Sequence, residues 1–98
     1  MKLGSMNGHQ SKMFFLMDEV MSEIISDFRY YMAVYAPYTP EHKKAKVFLL
    51  KGHDELASYF YNEVMSRCKT DSYYRHALFA GSDFLKESIN KRLKQYGL

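Results

Sequence analysis

The run His53-Asp54-Glu55 sets an imidazole beside two carboxylates, the side chains of metal sites and of acid/base pairs. On a helix, successive residues point about 100° apart, so these three cannot converge on one ion or one proton. His53 falls between Leu49 and Ala57 on an apolar stripe, whereas Asp54 and Glu55 lie three and four residues from Lys51 and are expected to face it in solvent. Folding the flanking helices back brings Glu23 and Glu87 to the height of His53. A structural polar pairing of His53 with Glu23 or Glu87 is therefore expected. Such a pairing would favour the charged imidazolium and tie the fold to pH.

Other reactive patterns are missing from the sequence. No glutamate has a histidine three residues on, as di-iron bundles require, and there is no HExxH, CxxC or calcium loop. Cys68 is the one cysteine, which excludes an intrachain disulfide and a thiolate zinc site. It ends an apolar stripe between Arg67 and Lys69, where a buried structural thiol is a commoner outcome than a nucleophile. No serine sits in a GxSxG elbow, and Gly52 and Gly81 are single rather than part of a phosphate-cradling loop. The expectation is no metal, no cofactor and no enzymatic activity. No stretch carries the signature of a named family.

The elements that would carry these residues are read from periodicity. Between Ser11 and Ala36 no glycine or proline interrupts the chain, and Phe14, Met17, Met21, Ile24, Phe28, Tyr31 and Tyr35 step by three and four, predicting a helix over 11–36. Pro37 and Pro40 bracket the next turn, with Thr39 as cap and Pro40 at the first helical position. A second helix is predicted over 40–68, with Leu49, Leu56, Phe60 and Val64 inward. A third is predicted over 72–96, with Tyr74, Leu78, Leu85, Ile89 and Leu93 on one stripe and Gly97 as its C-terminal cap. Gly81-Ser82-Asp83 is the place where the third helix could divide; a continuous helix is preferred. Gly81 also lies near the level of Tyr59, where a missing side chain would make room for the ring.

Short connections force neighbouring helices antiparallel, so the predicted fold is all-α, an up-down-up three-helix bundle. Residues 11–98 form its single domain. Residues 1–10 are expected to be a disordered tail, and 1–5 read as a cloning remnant. The longest apolar run, seven residues from Tyr30 to Ala36, is far short of a membrane span, and one thiol without a signal peptide suits a cytoplasmic protein.

Charge is segregated beneath a net +3. Residues 11–36 hold two basic and four acidic groups, a balance of −2, while 40–69 hold six and four and 70–98 five and three, each +2. Glu19, Glu23 and Asp27 make an acidic line on the first helix, which Lys46 and Lys51 are expected to neutralise at Asp27. Lys43, Lys44 and Lys46 crowd the start of the second helix, where the helix dipole disfavours cations. These three are the candidate phosphate contacts of a basic nucleic-acid-binding regulator, the second reading of function.

Aromatic residues give the stronger signal. The chain has nine Tyr, seven Phe and seven Met but no Trp. Met13, Phe14, Phe15, Leu16 and Met17 cover every direction around a helical turn, and Tyr30 and Tyr31 point apart, so one small core is not expected to shelter them all. Tyr, Phe and Met are enriched in interface cores. These seven residues are the predicted partner interface of a small cytoplasmic regulator, adaptor or inhibitor that binds protein and self-associates as a homodimer through its first helix.

Overall fold

A computed structural model describes residues 7–98, and every regular element among them is helical. Five segments stand where three rods were expected: α1 (Gly8–Val34), α2 (Pro40–Leu49), α3 (His53–Thr70), a 3-10 helix (Ser72–Ala80) and α4 (Ser82–Gln95).

α1 begins earlier than predicted because Asn7 and Gln10 cap it reciprocally. The Asn7 side chain accepts the Gln10 N–H at 2.8 Å, and the Gln10 side chain accepts the Asn7 N–H at 3.2 Å. Residues 8–10 are thus helix rather than disordered tail, while residues 1–5, read as a remnant, lie outside the described residues. Tyr35 takes extended backbone ahead of Pro37 and ends the helix.

The expected second helix, 40–68, divides at Leu50–Gly52. Thr39 caps α2 as predicted, its hydroxyl accepting the His42 N–H at 3.2 Å. Leu50 then leaves the helical region, and Gly52, with ψ of 159°, opens α3. The signal is local. Glycine is a poor helix former, and Asp54 and Glu55 fall in the first turn of α3, where carboxylates favour a helix N-terminus. His53-Asp54-Glu55 is thus a helix start.

The expected third helix, 72–96, divides at Gly81, the alternative that the Gly81-Ser82-Asp83 run had offered. Gly81 sits at φ +92° and ψ 152°, a conformation open only to glycine. A Cβ there would meet nothing within 4 Å, so the residue serves backbone geometry and not space for Tyr59. Before it, the Asp71 carboxylate accepts the Tyr73 N–H at 3.0 Å and starts the 3-10 turns. Their three-residue period sends Ala77 inward and leaves Tyr73, His76 and Phe79 in one exposed line. α4 ends as predicted near Gly97, whose φ is +78°. The Leu98 N–H bonds the Leu93 carbonyl at 2.8 Å and the Gly97 N–H bonds Lys94 at 3.0 Å, a Schellman closure.

α1 is the central rod, and α2, α3, α4 and the 3-10 helix all pack on it. It therefore buries more than a single seam: Met13, Leu16, Met17, Val20, Met21 and Ile25 are all in the core. They meet Leu56, Phe60, Val64 and Cys68 from α3 and Leu85, Ile89 and Leu93 from α4. Fully burying each large side chain contributes about 1.5–3 kcal/mol.

Candidate functional site

His53 does not meet the expected carboxylates. Its Nε2 lies 2.9 Å from Asn90 Oδ1 and its Nδ1 3.4 Å from the Leu98 main-chain oxygen. Starting a new helix at His53 re-aims the ring toward the end of α4. Glu23 instead pairs with Arg67 at 3.6 Å, and Glu87 is exposed with no ion pair among the described residues. Lys51 meets Glu55 at 3.7 Å, as its spacing predicted. No group of three or more potential metal-ligating side chains occurs among the described residues. Cys68 is wholly buried, and burial pushes its thiol pKa up, away from the thiolate.

The seven predicted interface residues separate into three groups. Met13, Leu16 and Met17 are core residues, at most 1 % exposed, because four elements surround α1 and claim every direction but one. Phe14 is half-buried against α4, with the Arg92 guanidinium 5.3 Å from its ring centre; Arg92 in turn binds Asp18. Phe15 and Tyr30 stand out at 56 % and 61 % exposed, and Tyr31 is half-buried.

These outward residues lie at two ends of α1. At its C-terminal end, Ile24, Asp27, Phe28 and Tyr31 of α1, Lys44 of α2 and Tyr59 of α3 line an open groove of about 220 Å3. Two of these rings are backed by buried Phe48, which sits 4.5 Å from Phe28 and 5.1 Å from Tyr59, centre to centre. Tyr30, Tyr31 and Tyr35 pack edge to face beside the groove at 6.3 and 5.7 Å. Burial and the nearby Glu63 carboxylate raise the Tyr59 pKa, partly offset by Arg67, so the phenol stays neutral there.

At the N-terminal end, Phe15 and Lys12 meet Tyr73 and Tyr74 around a groove of about 250 Å3. The Lys12 ammonium lies 4.4 Å from the Tyr73 ring centre and donates to the Tyr73 carbonyl at 3.2 Å. The Tyr74 hydroxyl reaches Glu19 at 3.5 Å, and His9, His76 and Phe79 cluster on the rim. Tyr59 and Tyr73 belong to aromatic groups that the sequence marks as too many for one core but lie outside the predicted interface, and sequence reasoning missed Phe79 altogether. The Phe79 signal was the three-residue spacing of Tyr73, His76 and Phe79.

Lys43, Lys44 and Lys46 are all exposed on α2, and none forms an ion pair among the described residues. Asp27 is likewise without an ion pair there, so the expected neutralisation by Lys46 and Lys51 does not form. No helix among the described residues is long and apolar enough to cross a membrane. Comparison with protein-family models, curated proteins and solved structures finds no match for this chain, so function is argued from geometry alone.

Proposed function

We propose that this chain is a small, non-enzymatic protein-binding domain that acts through its exposed aromatic surface. Its role would be that of a cytoplasmic regulator, adaptor or inhibitor, with a second copy of itself among its partners. The observation that carries this reading is the open groove beside Tyr30 and Tyr31, where aromatic rings line a concave surface that no element among the described residues covers. Tyrosine and phenylalanine supply large contact area at low entropic cost and tolerate partial wetting, which is the chemistry of an interface core. The single thiol, buried and protonated, suits a reducing compartment.

The test is substitution at positions the fold does not need. Tyr30→Asp and Phe15→Asp lie on the surface, so both variants should keep their helix content and melting temperature. Tyr30→Asp should abolish association with protein, read as molar mass and as capture of partner. Unchanged mass and capture in both variants would count against the proposal.

A second reading, binding of DNA or RNA phosphates by Lys43, Lys44 and Lys46, is favoured by the exposure of these lysines without ion pairs among the described residues, at a helix start where they cost stability. Salt separates the two. Phosphate contacts weaken steeply between 50 and 200 mM salt, by about 10-fold or more for a few contacts, whereas an aromatic interface does not.

A further inference from the structure

The groove beside α1 and α2 has walls of opposite charge. Asp27 projects from the α1 wall and Lys44 from the α2 wall, both exposed and neither in an ion pair among the described residues. Along the α1 wall, Tyr30 and Val34 follow Asp27 at the next two turns and remain exposed; Val47, 64 % exposed, follows Lys44 on α2. A two-fold axis running along the groove, between its two walls, would set the acidic wall of each copy against the basic wall of the other.

Resting on the protein-binding reading, we propose that the occupant of this groove is a second copy of this chain, seated so that Asp27 of each copy meets Lys44 of the other. This geometry is isologous, since one patch satisfies itself and the assembly closes at two. It also differs from pairing through α1 alone. Two α1 helices laid together would bring the Glu19, Glu23 and Asp27 line against itself, and like charges across an interface oppose association. Crossing α1 onto α2 removes that conflict and gives Lys44 a partner.

Charge exchange tests the pairing. Asp27→Lys and Lys44→Asp should each weaken the dimer about 10-fold or more, because the two-fold axis repeats every lost contact. The double variant D27K/K44D should restore it, with mass measured by sedimentation across a range of concentrations. A wild-type chain that stays monomeric, single variants that match it, or a double variant that fails to recover would each overturn the assignment. A photo-crosslinking residue in place of Val34 separates this failure from that of the underlying reading. A product at twice the chain mass supports the dimer. A product of another mass overturns the self-pairing but keeps the protein-binding reading, and no product removes both.

Discussion

α2 and the 3-10 helix are two solutions to one problem. Each is a short segment cut from its neighbour near a glycine and laid on one end of α1, α2 on the C-terminal half and the 3-10 helix on the N-terminal half. Their anchoring differs. α2 is held by Phe48, buried among Phe28, Tyr59 and Phe60, with a ring-centre distance of 5.9 Å to Phe60. The 3-10 helix buries only Ala77 fully; Tyr74, Leu78 and Ala80 pack half-buried against the core, and backbone geometry at Gly81 and polar contacts from Lys12 and Glu19 add to their hold. One end of the molecule hangs on a single buried ring, and the other spreads its hold over half-buried side chains, polar contacts and a glycine turn.

The largest expected effect follows from that contrast. Phe48→Ala should cost about 3–5 kcal/mol, the range for emptying a buried aromatic site, and should loosen Phe28 and Tyr59, which it backs. Phe79→Ala, in a residue 72 % exposed, should stay within about 0.5 kcal/mol. Urea denaturation of the two variants measures both; equal losses would break the distinction between the two ends.

The glycines come next. Gly81→Ala should destabilise by about 1–3 kcal/mol, because a side chain at φ +92° is strained even with open space around it. Gly52→Ser should do the reverse. Gly52 is the N-cap of α3 in an ordinary extended conformation at φ −64°, and a Cβ there meets nothing within 4 Å. Restricting the unfolded chain and adding a capping hydroxyl should then stabilise by about 0.4–1 kcal/mol. Thermal melts of the pair give opposite signs, and a Gly52→Ser variant that melts lower would show that this break too depends on glycine.

How far the fold was legible follows the same division. α1 could be read because 26 residues without glycine or proline carry one helical period. The Thr39-Pro40 start and the Gly97 end were readable because their signals act on neighbouring residues alone. The break at Gly52 was legible in principle, since Asp54 and Glu55 mark a helix start, but the apolar spacing from Leu49 to Leu56 and Phe60 masked it. The 3-10 period of residues 72–80 was harder, because three-residue and four-residue spacings coincide over so short a run. Of the predicted interface, Phe15 and Tyr30 stand exposed. Met13, Leu16 and Met17 are buried, because the number of elements packing on α1 is a tertiary fact that no local pattern holds.

The smallest effect separates the two ends by pH. Tyr59, beside α2, and Tyr74, in the 3-10 helix, both have pKa values raised above the ordinary tyrosine value of 10.0. Burial is the main cause for each; Glu63 adds to it at Tyr59, and the Glu19 carboxylate, which accepts the hydroxyl, adds to it at Tyr74. A raised pKa means that the folded protein holds the phenol proton more tightly than the unfolded chain does. The stability this represents is fully present below pH 10 and is lost as pH rises through the folded-state value. Tyr59→Phe and Tyr74→Phe should each flatten the alkaline loss of stability, measured as unfolding free energy between pH 8 and 11. Arg67 offsets part of the effect at Tyr59, and no cation does so at Tyr74. A Tyr74→Phe slope that matches the wild type would mean that the 3-10 helix owes nothing to its bond with Glu19, and that its hold on α1 rests on its half-buried side chains, Gly81 and Lys12.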